Sequence, residues 1–307
     1  MIERRSVVAV FPLVTEGLRS GARGIRLPLP RLAALARPRS VAGGAAAGAA
    51  PGEVPWEIAD ALRTLLWTGA LAIGGGAALT LLRLGMPVLF AVIEALHLTS
   101  PDTYDRLCNT MQPYAAALTG LLYGVILYGA VLTGLYKVTL RPHGLRWSAL
   151  YLRHAGWGTY GKVAALFVPI TLGGALVTGM ERVLLHGHLR GAQAAGLFRG
   201  VAPLGGNIAL LGLLLIAIAP LAEEALFRGF LYRLLRRRLS PWLAAPISAA
   251  LFAASHGSLA LAPWLFYMGL VLALLLERTR SLFCPIIVHG LANGLATLSI
   301  VVLLNGW

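Results

Sequence analysis

After Trp56 the chain is built from long apolar runs separated by short polar segments. A helix needs roughly 20 apolar residues to cross the hydrocarbon core of a bilayer. Spans are expected near 64–82, 114–136, 163–180, 207–232, 242–259, 264–276 and 282–304. The sixth is short and draws length from its flanks. A further apolar stretch, 84–98, is interrupted by Pro87 and Glu94 and reads either as an interfacial helix or as an eighth crossing. The pattern predicts an all-α fold, a polytopic transmembrane helix bundle of about seven spans, or eight if 84–98 also crosses.

Composition agrees with that reading. Of 307 residues, 58% are hydrophobic and only 12% charged, and the mean hydropathy is +0.76, which does not fit a soluble globule. Residues 1–56 stand apart, with eight arginines, many Pro, Ala and Gly, few acids and no run long enough to span. They read as a disordered basic N-terminal tail. Residues 57–200 then carry the first transmembrane helices, and 201–304 a second group that holds most of the membrane-embedded polar residues. Cys108 and Cys284 are lone and far apart in sequence, so neither a disulfide framework nor a Cys-based metal site is expected.

The net charge of +14 raises nucleic-acid binding as a possibility, and the distribution of the charge argues against it. With seven spans and a cytoplasmic N-terminus, 21 of the 26 Lys and Arg residues fall on the cytoplasmic side. That asymmetry is the positive-inside pattern of a membrane protein, so the expected partner is the lipid bilayer and not nucleic acid. No 20–50-residue repeat or inverted pair of halves is evident, which weighs against a secondary transporter.

Ionisable groups in an apolar helix cost about 2.5–3.5 kcal/mol each on insertion scales and call for a partner or a purpose. Three occur in IAIAPLAEEALFRGF: Glu224 and Arg228, four apart and able to pair on one face, and Glu223, about 100° round the helix and free of that pairing. Phe252 and His256 share a face of the next helix, and His289 and Asn293 share a face of the last. Each group has a plainer explanation: acids reaching toward water, a packed histidine, a polar pair gluing helices. Gly290 and Gly294 form a GxxxG that lets a neighbouring helix approach. Depth links the groups. Counted from the basic flank of each helix, Glu223 lies 13 residues in, His256 15, His289 9 and Asn293 13, or roughly 20, 22, 14 and 20 Å. An acid, two imidazoles and an amide at one level suit amide hydrolysis, which needs a base for water and donors for an oxyanion. No GxSxG, Asp dyad or HExxH is present.

In order, EEALFR, FAASH and HGLAN fit EExxxR, FxxxH and HxxxN, the three motifs of the CPBP family of CAAX proteases and bacteriocin-processing enzymes. The sequence resembles these Abi-type membrane proteases, type II CAAX prenyl endopeptidases among them, over roughly residues 200–300. The resemblance implies that Glu223 and His256 activate water, that His289 and Asn293 stabilise the oxyanion, and that Glu224 and Arg228 support the site. It implies an intramembrane endopeptidase acting on a membrane-associated peptide or protein tail. Two chemistries are described for the family: a metal-free glutamate type, and a metalloprotease for which Glu223, His256 and His289 would be the Zn²⁺ ligands. The metal-free type, with no cofactor, is favoured here because a free Glu and an Asn in the oxyanion role suffice. The Ala-, Arg- and Gly-rich composition points to a bacterial plasma membrane. A non-catalytic immunity or binding protein that keeps the fold is the alternative, and a transporter a weaker one.

Overall fold

The computed structural model describes residues 54–96, 100–184 and 212–304, and every regular element in them is helical. The expected tail therefore lies outside the described residues except for its last three positions. Of these, Val54 and Trp56 are buried in the main core.

Helix α1 runs from Ile58 to Ala95 and opens on a capping box in which the Glu57 N–H donates to Asp60 Oδ2 at 2.9 Å. At 38 residues it is about 57 Å long, more than a bilayer needs. The separate segment expected at 84–98 is not found. Residues 84–95 continue α1: the helix runs on past Arg83 and Gly85, which interrupt only the hydropathy, and past Pro87, whose missing N–H removes one hydrogen bond without ending it.

Helix α2, Pro101–Gly134, starts on the Ser100 cap with proline at its first position and ends in a π-helical stretch, Leu135–Leu140. Helix α3 spans Trp157–Leu184. Helix α4 covers 212–236 and alternates between registers: π-helical at Leu214–Ile218, α-helical at Ala219–Glu224, π-helical again at Ala225–Tyr232. The start expected for this span, near 207, lies outside the described residues.

Helix α5, Pro241–Ser255, ends a turn earlier than the expected 242–259. His256 caps it and Gly257, at φ +62°, turns the chain away, a conformation that glycine adopts without a Cβ penalty. Helix α6, Ala262–Thr279, and α7, Phe283–Leu304, complete the set.

Among the described residues, four helical stretches are long and apolar enough to cross a membrane: Ile58–Gly85, Leu118–Leu140, Trp157–Met180 and Ala262–Thr279. The short sixth run thus reaches spanning length by recruiting its flanks, as expected. Helices α5 and α7 are shorter apolar helices by the same measure. The chain is an integral membrane protein, and its surface fits that state. Leu66 and Ile73 on α1 and Leu176 on α3 are 70–74% exposed, whereas on α4 the charged Glu224, Arg228 and Arg233 are fully buried. Apolar groups outside and paired charges inside are what lipid as solvent demands.

Two contacts fix α4. At one end, Arg236 Nη2 meets Glu277 Oε1 of α6 at 2.9 Å, and the Tyr232 hydroxyl donates to Glu277 Oε2 at 2.8 Å. At the other, α7 lies directly on the π-helical stretch. A Cβ on Gly290 would collide with the Ile216 carbonyl oxygen, and one on Gly294 would lie 3.5 Å from Ile216 Cδ1. The GxxxG seen in the sequence therefore seats α7 on α4. Gly290→Ala should cost about 1–3 kcal/mol, since backbone and not a flexible side chain must yield. Gly69→Ala on α1, with nothing within 4 Å of the added Cβ, should leave stability unchanged or slightly raised. Thermal unfolding of both variants in the same detergent checks the contrast.

Candidate active site

The site begins with Glu224 and Arg228, one turn apart on α4 and both fully buried. Arg228 Nη1 donates to Glu224 Oε1 at 2.9 Å and Nη2 to the Gly269 carbonyl of α6 at 3.4 Å. The guanidinium also lies 4.2 Å above the Phe252 ring of α5. This cation is thus held by three helices, by charge, carbonyl dipole and π-face together.

Glu224 Oε1 has a second partner. His289 Nδ1 on α7 lies 2.8 Å from it. A carboxylate only accepts, so Nδ1 donates to it and Nε2 points to the far side of the ring. That Nε2 faces Glu223 Oε2 at 3.7 Å. His256 is arranged alike: Nδ1 lies 2.8 Å from the Phe252 carbonyl, another pure acceptor, so Nδ1 donates there and Nε2 faces Glu223 Oε2 at 4.0 Å. Phe252 separates the imidazoles, with ring centroids 4.8 Å from His256 and 5.7 Å from His289.

Glu223 Oε2 and the two Nε2 atoms, carried on three helices, therefore surround one small volume. His256, the most exposed of them at 30% of its side chain, marks the open side.

Asn293 is placed differently. Its Nδ2 donates to the Leu215 carbonyl at 2.9 Å. In the π-helical register, where the Ala219 N–H reaches back to the Leu214 carbonyl, Leu215 would be served by residue 220. That residue is Pro220 and has no N–H. The amide of Asn293 fills the hydrogen bond that proline cannot make. Of the six residues marked from the sequence, five are in mutual contact, and Asn293 is tied to the backbone two turns upstream of Glu223.

Sequence reasoning missed Tyr128 of α2. Its hydroxyl donates to Glu223 Oε1 at 2.9 Å. The available signal was a tyrosine close to the middle of the apolar run Leu118–Leu140, where a hydroxyl needs a partner.

The donor types Glu, His and His suit a catalytic zinc, but their spacing does not. Ligands about 2.0–2.1 Å from a tetrahedral ion lie roughly 3.3 Å from one another, whereas the Glu223–His separations are 3.7 and 4.0 Å. Among the described residues no group of three or more His, Cys, Asp or Glu side chains is arranged to hold a metal ion.

With this geometry in view, similarity to known proteins can be placed on it. Residues 205–295 match the family of type II CAAX prenyl endopeptidases termed Rce1-like. The segment contains all three motifs and every residue of the site except Tyr128. An uncharacterised 24.3 kDa protein of Escherichia coli is 36% identical over 98 residues, which cover 30% of this chain and 45% of that protein. The chain thus spans less than half the length of the curated relative it matches. No solved structure matches the chain.

Removing one member of the buried pair should expose its cost. Arg228→Leu leaves Glu224 charged and uncompensated and should destabilise by about 3–5 kcal/mol. Glu223→Gln, which keeps its shape and loses only a partly exposed charge, should stay within about 1 kcal/mol of the parent. Denaturant titration of both variants in mixed micelles, followed by tryptophan fluorescence, measures the difference.

Proposed function

We propose that the protein is an intramembrane endopeptidase that hydrolyses a peptide bond in a membrane-associated peptide or protein tail. The observation that carries this reading is the convergence of His256 Nε2 and His289 Nε2 on one oxygen of Glu223, 4.0 and 3.7 Å away. The match of residues 205–295 to the Rce1-like family supports the same reaction class.

Glu223 is the general base. A water hydrogen-bonded to Glu223 Oε2 and His256 Nε2 loses a proton to the carboxylate as its oxygen attacks the scissile carbonyl. His289, protonated at Nε2 from solvent before the attack, is an imidazolium whose charge faces Glu224; it donates a hydrogen bond to the developing oxyanion and keeps that proton throughout. Asn293 contributes its second amide hydrogen, the first being held by Leu215. The proton on Glu223 passes to the leaving amine. Glu224 and Arg228 hold His289 in the required tautomer and do not touch substrate.

This scheme is metal-free. The wide Glu223–His separations favour it over a zinc hydrolase, and activity that survives exhaustive chelation would bear it out. The protein sits in a bacterial plasma membrane with its N-terminus in the cytoplasm, and about seven spans follow from the positive-inside count and the helix order. The substrate enters beside His256, where the site is open.

The test compares protein termini in membranes from cells carrying the wild type or Glu223→Gln, by mass spectrometry. One or more cleavages should fall by at least about 100-fold in the variant, the usual worth of a general base. Identical termini in both strains would remove the peptidase reading and leave a non-catalytic binding protein.

A further inference from the structure

We infer that Tyr128 is the positioning residue of the catalytic carboxylate, holding Glu223 Oε1 so that Oε2 alone is presented to water. The inference rests on the peptidase reading of the site, but the contact behind it stands by itself. The Tyr128 hydroxyl lies 2.9 Å from Glu223 Oε1, while the other oxygen, Oε2, faces both imidazoles. The carboxylate is therefore divided between two tasks.

The division has a physical basis. A glutamate side chain has a soft last torsion, and without a partner on Oε1 either oxygen could rotate toward the histidines. A tyrosine hydroxyl on a packed helix removes that freedom. It also donates to an ionised group in an apolar setting, where a charge-assisted hydrogen bond is shorter and stronger than a neutral one. The other titratable or charged groups facing Glu223 are His256 on α5, His289 on α7, and Glu224 and Arg228 on its own helix. Arg228 is committed to Glu224, and both imidazoles lie on the Oε2 side. The donor on Oε1 comes from α2.

Tyr128 lies outside the segment 205–295 that carries the family motifs. This contact makes the N-terminal helices part of the site, and not only its membrane anchor. It also explains why α2 packs along α4 at this level: Gly124, one turn before Tyr128, lies against Leu214.

Infrared spectroscopy of the full chain in lipid nanodiscs tests the contact without substrate. The carboxylate stretching band of Glu223 is the one that Glu223→Gln removes. In Tyr128→Phe, which keeps the ring and its packing, that band should move, and in Tyr123→Phe, on the same helix but a different face, it should not. In the cleavage assay Tyr128→Phe should lower kcat about tenfold, the equivalent of one hydrogen bond to a charged group. KM should change by less than about twofold, because substrate binding does not use the hydroxyl. An unmoved band, or a kcat equal to the parent's, overturns the proposal. A moved band with no cleavage dependent on Glu223 would reject the peptidase reading and the catalytic role of Tyr128 together, while leaving the hydrogen bond itself established.

Discussion

Arg228 buried alone among apolar helices would cost several kcal/mol, and Glu224 Oε1, 2.9 Å from its Nη1, is the acceptor that makes its burial tolerable. The same oxygen takes His289 Nδ1 at 2.8 Å. Much else follows from that shared atom. It fixes the tautomer of His289, aims Nε2 at Glu223, and ties α7 to α4 beneath the reacting level. Arg228 extends the tie to α6 through the Gly269 carbonyl and to α5 through the face of Phe252. Four helices are thereby joined at one buried point, and the polar side chains above it need little freedom of their own.

Helix α4 carries this load on an irregular backbone. Its π-helical stretches release carbonyl groups from the helix, and other elements use them. Asn293 donates to Leu215 where Pro220 cannot, and Ser248 Oγ donates to the Phe227 carbonyl at 3.3 Å. In lipid such groups would be costly if left unpaired, so each π-helical stretch commits a donor on a neighbour. Irregularity in α4 is therefore a source of specific contacts between helices. The close seating of Gly290 and Gly294 on Ile216 has the same origin.

The bilayer and the site place opposite demands on the chain, and different helices meet them. Helices α1 and α3 turn large apolar side chains outward and bury little. Helix α4 is buried on almost every side over Glu224–Tyr232. At its far end, Arg233 sits between the rings of Trp56 and Tyr151, with its Cζ 5.4 and 4.0 Å from their centroids. Trp56 precedes the first helix, so the chain entering the bundle is anchored to the helix that bears the acids.

Much of this was legible in the sequence, because hydropathy and helical spacing are local properties. The runs after Trp56 dictated apolar helices, the four-residue spacing of Glu224 and Arg228 dictated a pair on one face, and the three motifs marked where polar groups would gather. Other features depend on how helices meet. The continuity of α1 through residue 95 was hidden because a hydropathy minimum at Arg83, followed by Pro87, resembles a boundary although the helix runs through it. The early end of α5 at His256 depended on a left-handed Gly257. The sequence could match Glu224 with Arg228, but it could not reveal that His289 shares the same oxygen, that Asn293 serves a carbonyl orphaned by Pro220, or that Tyr128 holds Glu223. Each of these contacts joins residues 65 to 95 positions apart. Periodicity reports on the face a residue occupies, and only packing decides which atom it meets there.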